Sequence, residues 1–334
     1  MPSFSLQTPS DYLLSRDVCS YGYFLLAPNF WNVSEQSLAR GLLLGGKPVG
    51  VLIEQSGRRG SPLRIRLDRA LAGRDRALAE AQLRRMLRLE EDHSHVRDFH
   101  KVDPRWKRSG RARLFRSPTL FEDVLKTVTS CNVTWPGTVT MNRRLCEVVG
   151  KKTPSGLLTF PDPAALARTR PQTLRARCRV GYRDLRIIEL ARMFAGRAAE
   201  VRTIEDPATP DELLHETLLS LPGVGPYAAA NIMQLLGRYA RLPLDTESVR
   251  HGKTVLGYTG SSAQVMRRVR DHFAPFADQA FRSYWFEMWE HYEKLQGPAH
   301  TWERDTTGTM FTASTLKKLA AGQSAPTPPR QARK

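Results

Sequence analysis

The stretch that decides the fold runs Glu216-Thr217-Leu218-Leu219-Ser220-Leu221-Pro222-Gly223-Val224-Gly225-Pro226-Tyr227-Ala228-Ala229-Ala230-Asn231-Ile232. It reads as a helix, a tight glycine hairpin and a second helix. Gly223 and Gly225 can adopt positive φ, and neither carries a side chain that would hold a ligand off the backbone. Pro226 suits the first turn of the second helix, where its missing N–H costs nothing. The free N–H groups of the hairpin then face outward at a helix N-terminus, a ready phosphate site. An ordinary helix–helix turn can have the same glycine content, so the bare turn leaves both readings open. The full Leu-Pro-Gly-Val-Gly string in a basic chain shifts the reading toward DNA.

Working outward, the whole chain is basic. Its 334 residues hold 51 Lys+Arg against 33 Asp+Glu, a formal net charge of +18. Part of that excess could be a general surface habit, but the balance implies an anionic partner, nucleic acid first. An anionic membrane surface is the other candidate. Yet no apolar run approaches the ~18 residues of a spanning helix, and no basic amphipathic segment stands out. Met1 to Asp11 lacks the charged-then-apolar pattern of a signal peptide. Cys19, Cys131, Cys146 and Cys178 are scattered without a CxxC pair, which reads as reduced thiols in a cytosolic protein and argues against a zinc ribbon, an iron–sulfur cluster or a disulfide framework. His93, His95 and His100 have no standard metal spacing and read as an exposed helix.

The organisation is α+β, in three parts. Residues 1–108 read as a small antiparallel sheet with flanking helices. Val18–Leu26, Gly50–Glu54 and Pro62–Leu67 look like strands, the last alternating apolar and basic positions. A helix follows from Arg74 to Leu87, with Leu78, Gln82 and Met86 on one face. Residues 109–300 turn helical, beginning with Leu120–Cys131 and its apolar Phe121, Val124, Leu125 and Val128. Pro and Gly breaks separate further helices up to the long helical stretch Val265–Leu295. Residues 301–334 lose apolar periodicity and read as a basic, disordered tail.

A second signal lies at Arg241-Leu242-Pro243-Leu244-Asp245-Thr246-Glu247-Ser248. A lone acidic residue follows an apolar Pro turn and precedes a new helix, so Asp245 reads first as an N-cap. A capping Asp can also face DNA if this turn lies beside the hairpin.

The LPGVG hairpin and the later Pro-x-Asp resemble the HhH-GPD superfamily of base-excision DNA glycosylases, closest to its alkyladenine and eight-oxoguanine branch. Thr129-Ser130-Cys131-Asn132, Arg144-Leu145-Cys146, Gly181-Tyr182-Arg183 and Ala274-Pro275-Phe276 resemble further segments of that branch. The likeness spans about residues 10–295 in pattern, and its specific part is the hairpin-to-Asp stretch.

The resemblance implies an enzyme that releases a damaged base, an alkylated or oxidised purine, from double-stranded DNA, acting as a monomer. Asp245 would be the catalytic carboxylate, stabilising the oxocarbenium-like sugar and orienting water. Bifunctional relatives carry a Schiff-base lysine in the second hairpin helix; here Tyr227 occupies that position, which implies monofunctional hydrolysis. Gly223, Val224, Gly225, Pro226 and Tyr227 would meet the DNA. The backbone carbonyls of Leu219, Leu221 and Val224 would hold a monovalent cation, the only cofactor implied. Asn132 would face the orphaned partner base, or is simply a turn residue. Trp285, with Phe281 and Asn231 as neighbours, would wall the pocket for a flipped base, although each also reads as core. Phe281 stands where the eight-oxoguanine enzymes carry a polar base reader, which favours alkylated purines. The competing readings are a non-catalytic DNA-binding hairpin protein and a bifunctional glycosylase/lyase.

Overall fold

The computed structural model describes residues 1–304; from position 305 the expected tail lies outside the described residues. The architecture is α+β, as the sequence pattern implies. Five antiparallel strands, β1 (Ser3–Leu6), β2 (Phe30–Asn32), β3 (Ser37–Leu44), β4 (Lys47–Glu54) and β5 (Leu63–Leu67), form one sheet in the order β1-β5-β4-β3-β2. The helices are α1 (Leu14–Val18), α2 (Gly73–Met86), α3 (His93–Val102), α4 (Leu120–Ser130), α5 (Trp135–Val148), α6 (Pro163–Ala167) and α7 (Pro171–Thr173). They continue with α8 (Asp184–Ala195), α9 (Ala199–Glu205), α10 (Asp211–Ser220), α11 (Pro226–Leu235), α12 (Thr246–Thr254), α13 (Ser262–Phe273) and α14 (Ala280–Gln296). None is long and apolar enough to cross a membrane.

Period-2 patterning builds the sheet. Leu63, Ile65 and Leu67 are buried while Arg64 is exposed, and Val49, Val51 and Ile53 do the same for β4, paired so that Ile53 faces Leu38 and Ile65. Gly41 on β3 must be glycine for a different reason. The backbone of Leu158 lies against it, with the Gly41 N–H donating to the Leu158 carbonyl at 3.1 Å, and a Cβ here would fall 2.4 Å from that oxygen.

Two expectations fail locally. Val18–Leu26 is not a strand: Val18 ends α1, and Gly22–Leu25 form a 3₁₀ turn. Tyr21, Tyr23, Phe24, Leu25 and Leu26 are all buried, so no exposed face alternates with them. The Cys19 and Ser20 carbonyls accept the Trp289 and Trp285 indole N–H groups at 3.1 and 2.8 Å, contacts that occupy acceptors a ladder would use. On α2 the buried face is Ala79, Leu83 and Met86, and Leu78 points to solvent. The cause is rotational: α2 begins at Gly73, and the 3.6-residue repeat aligns Ala79 with Leu83 and Met86.

The core divides into two clusters. One joins the sheet, α2 and α3 to α13 and α14, through residues such as Leu38, Ile65, Phe99, Phe273, Phe281 and Trp289. The other gathers α4, α5, α8, α9, α10 and α11, through Val124, Leu145, Ile187, Leu218 and Ala228. A buried ionic cluster ties the sheet to α4. Arg40 donates to Glu122 and to Asn29, both at 2.8 Å, and Lys126 sits 2.7 Å from the same carboxylate. Burial alone would raise the Glu122 carboxyl, but Arg40 and Lys126 hold it down to about 2. The chain thus passes from the first cluster into the second and back, and the seam between them carries the site.

Candidate active site

The hairpin forms where the sequence places it, between α10 and α11. Gly223, in the turn beyond the extended C-cap Leu221 of α10, has φ +81°, a left-handed conformation that other residues adopt at a cost. Gly225 does not use that freedom. It is the N-cap of α11 at φ −103°, an extended backbone open to any residue. What glycine provides there is room, since a Cβ at this position would have nothing within 4 Å. Pro226 occupies the first turn of α11, as its chemistry favours. Leu221 and Val224 are buried beneath the turn, and the Val224 N–H donates to the Leu221 carbonyl at 3.1 Å.

One helix further on, Asp245 caps α12. Its Oδ1 accepts the N–H groups of Glu247 at 2.9 Å and Ser248 at 3.1 Å, while its own N–H donates to the Ser248 hydroxyl at 3.1 Å. Ser248 is in turn fixed by the buried Tyr284 hydroxyl at 3.0 Å. Both backbone N–H groups that the side chain accepts go to Oδ1. Oδ2 takes neither of them, and the side chain lines a cavity of about 370 Å³ at the seam between the two cores. Burial lifts the Asp245 carboxyl from the ordinary 3.8 to about 6; the neighbouring Glu247 carboxylate adds to that, and the N–H groups of Ser248 and Glu247 oppose it. At neutral pH Asp245 is a mostly ionised, strained carboxylate, the state that favours a developing positive charge beside it.

The walls of the cavity are aromatic. Trp285 lies on Phe281 with ring centroids 5.9 Å apart at 9°, on Trp289 at 5.3 Å and 27°, and against Tyr21 at 4.6 Å. Trp285 and Asn231 line the space; Phe281 does not, being fully buried behind the Trp285 ring. Asn231 is held on both sides, accepting the Tyr21 hydroxyl at 3.1 Å and donating to the Tyr227 carbonyl at 3.3 Å. Tyr227 lines the same cavity as Asp245, and burial pushes its phenol well above the usual value. Asn132 lies outside the cavity, exposed and at φ +51° just after α4. Its neighbours Ser130, Val133, Thr134 and Trp135 form the rim. Among the described residues no group of three or more His, Cys, Asp or Glu side chains could hold a metal ion. His95 bonds Asp92 at 2.9 Å and His100 meets the Arg111 carbonyl at 2.9 Å.

Several lining residues escape the sequence reading: Tyr21, Gly22, Trp135, Glu247, Tyr284, Trp289 and Tyr292. Trp285, Trp289 and Tyr292 fall at i, i+4 and i+7 of α14, a spacing that marks one helix face. Gly22 leaves the space into which Trp135 packs, since a Cβ there would sit 2.9 Å from the indole. No periodicity announces that contact.

No family model matches the chain, and no curated protein matches it in sequence. Solved structures do match. A 3-methyladenine DNA glycosylase from Archaeoglobus fulgidus superposes with a TM-score of 0.65 at 17% identity, covering 86% of this chain and 99% of that one. MBOgg1, solved with a low-affinity DNA ligand, gives 0.63 at 19% identity over 87% of this chain and 99% of that one. The Clostridium acetobutylicum 8-oxoguanine glycosylase/lyase, bound to double-stranded DNA with cytosine opposite 8-oxoG, gives 0.57 at 20% identity over 82% and 93%. The chain therefore has the fold of the helix-hairpin-helix DNA glycosylases.

Proposed function

We propose that this chain is a monofunctional DNA glycosylase that hydrolyses the bond between a damaged purine and its sugar. The observation that carries the proposal is Asp245: a half-buried cap whose side chain accepts both backbone N–H groups on Oδ1, set in the wall of an aromatic cavity just past the hairpin.

The Gly225 N–H, at the start of α11, meets a phosphate of double-stranded DNA, the Val224 N–H being already given to the Leu221 carbonyl. The damaged base leaves the stack and enters the cavity against Trp285, which the Phe281 ring and the Ser20 carbonyl keep in place. Asp245 then faces the sugar. As the C1′–N bond breaks, its carboxylate stabilises positive charge on the sugar and orients the attacking water, leaving an abasic site. A lyase step would need an amine. No lysine lines the cavity among the described residues, and Lys126 is fully buried and paired with Glu122. The carbonyls of Leu219 and Leu221 lie where α10 runs out of intrahelical donors, and that of Val224 lies in the hairpin just before α11. Those of Leu219 and Val224 suit a monovalent cation, while that of Leu221 already accepts one N–H; the ion would add positive charge beside the phosphate.

The test is a panel of duplexes bearing alkylated purines, eight-oxoguanine or mismatched adenine, scored with and without alkali. Breaks that require alkali support the proposal. Breaks without alkali indicate a lyase. Tight, salt-sensitive DNA binding with no release from any duplex indicates a binding module instead.

A further inference from the structure

Away from the cavity, one stretch of the chain carries far more charge than its own contacts use. Residues 168–192 hold eight arginines against the two acids Asp184 and Glu189. Arg175 pairs with Asp184 at 2.6 Å, and Arg183 donates to the carbonyls of Cys131 and Asn132. The others, Arg168, Arg170, Arg177, Arg179, Arg186 and Arg192, are exposed and form no ion pair among the described residues. Three of these, Arg168, Arg170 and Arg192, line a groove of about 600 Å³ where the α6–α7 turn meets α8, together with Pro171 and Leu185. Among the described residues Glu189 is the one acid that lines it.

The groove adjoins the hairpin through α8. Arg186 packs against the hairpin itself, since a Cβ at Gly223 would sit 3.3 Å from its Cδ. Arg192 follows six residues later on the same helix, which places it about 9 Å along the axis and about 120° round it. Leu185 and Glu189, also exposed, lie within that arc. The solvent face of α8 therefore has the hairpin at one edge and the groove at the other. Guanidinium groups gathered without carboxylates repel one another, and a phosphate backbone relieves that repulsion while accepting paired N–H bonds from each. Duplex DNA carries about one charge per 1.7 Å of axis, so a 9 Å length presents about five phosphates. The Gly225 N–H and Arg186 reach only those beside the hairpin.

We infer that the groove of Arg168, Arg170 and Arg192 is a second phosphate-binding surface, which grips the backbone of the duplex to one side of the segment held at the hairpin. This rests on the reading of the hairpin as a DNA site, and its test needs no base release. Fluorescence anisotropy follows binding of an undamaged duplex of about three helical turns over a salt series. The wild type is compared with the triple variant Arg168→Gln, Arg170→Gln, Arg192→Gln. A control variant, Arg58→Gln, Arg64→Gln, Arg74→Gln, removes the same charge from exposed positions of the N-terminal domain. Each phosphate contact adds about 0.9 to the slope of log affinity against log salt, so the groove variant should be shallower by about 2–3. The control should keep the wild-type slope, and so should lysine at the three groove positions, where the charge remains. An unchanged slope in the groove variant, an equal change in the control, or an equal loss with lysine overturns the inference.

A second measurement uses a duplex with a lesion that the wild type accepts. At saturating enzyme the groove variant should release base at the wild-type single-turnover rate, with the half-saturating concentration raised by about tenfold or more at low salt. A slower rate at saturation, or an unchanged half-saturating concentration, overturns the inference. The two readings fail separately. A shallower slope with no base release from any lesion supports the groove and rejects the glycosylase reading, whereas base release with a wild-type slope in the groove variant does the reverse.

Discussion

Replacing Asp245 with asparagine should make the protein more stable, and the gain should depend on pH in a particular way. Asparagine keeps the shape of the cap and an oxygen for the N–H groups of Glu247 and Ser248, but it never ionises. The wild-type carboxyl titrates near 3.8 when unfolded and at about 6 when folded, chiefly because it is buried. Well below pH 3.8 both states are protonated, and the group contributes no difference. As the pH rises from 4 to 6 the unfolded chain loses its proton first, and the folded state loses stability relative to it. Above 6 the deficit is constant. Roughly two pH units at ~1.4 kcal/mol each give ~3 kcal/mol. For a chain of this size that corresponds to a rise of about 5 °C in Tm. Urea unfolding of the wild type and Asp245→Asn at a series of pH values reads this directly. The curves should converge towards pH 3 and separate between about pH 4 and 6, with the variant higher. A variant of equal or lower stability at pH 7.5, or a gap that does not vary with pH, refutes the claim that Asp245 is held against its own preference.

Four further outcomes follow from the same geometry. Base release should fall on the acid side with an apparent pKa close to 6, because the ionised form of Asp245 is the active one; a rate flat from pH 5 to 8 contradicts this. Gly22→Val should push Trp135 aside, since even a Cβ approaches the indole at 2.9 Å, and lower kcat/KM for base release by tenfold or more while urea unfolding changes little. Arg40→Ala should cost about 3–5 kcal/mol in urea unfolding by leaving Glu122 buried with Lys126 alone, without altering DNA affinity measured by fluorescence anisotropy. Tyr227→Lys places an amine in the cavity beside Asp245 and should yield a borohydride-trapped protein–DNA adduct that the wild type does not form.

The fold was legible mainly where local chemistry and tertiary demand agree. The hairpin, the Pro226 start of α11 and the Asp245 cap are short-range features, set by φ/ψ preferences and by side-chain bonds within three residues. Strand β5 showed itself through alternation, and the Gly50–Glu54 segment as a short apolar run bounded by glycine. The segment Val18–Leu26 misled because its apolar richness carries no period. It lies between α14 and the helical cluster, and its backbone follows the indoles of Trp285 and Trp289, which come from more than 260 positions away. The cavity was half visible for a related reason. Asn231 and Tyr227 sit on α11, which the hairpin places, and Trp285 was read from its place on α14, whereas Gly22 with Trp135 and Glu247 with Tyr292 meet only through long-range packing. Phe281 shows the limit of helical spacing as a guide. It lies one turn before Trp285 on α14, yet it stands behind the wall and not in it.

The central claim is that Asp245 performs the chemistry. Its most direct test is the single-turnover rate of base release by the wild type and by Asp245→Asn, on a duplex carrying a lesion the wild type accepts, with DNA affinity measured alongside. The account predicts that the variant binds the duplex at least as tightly, because a negative charge facing the DNA has been removed, and releases base at least a hundredfold more slowly. A variant that releases base at the wild-type rate would contradict it.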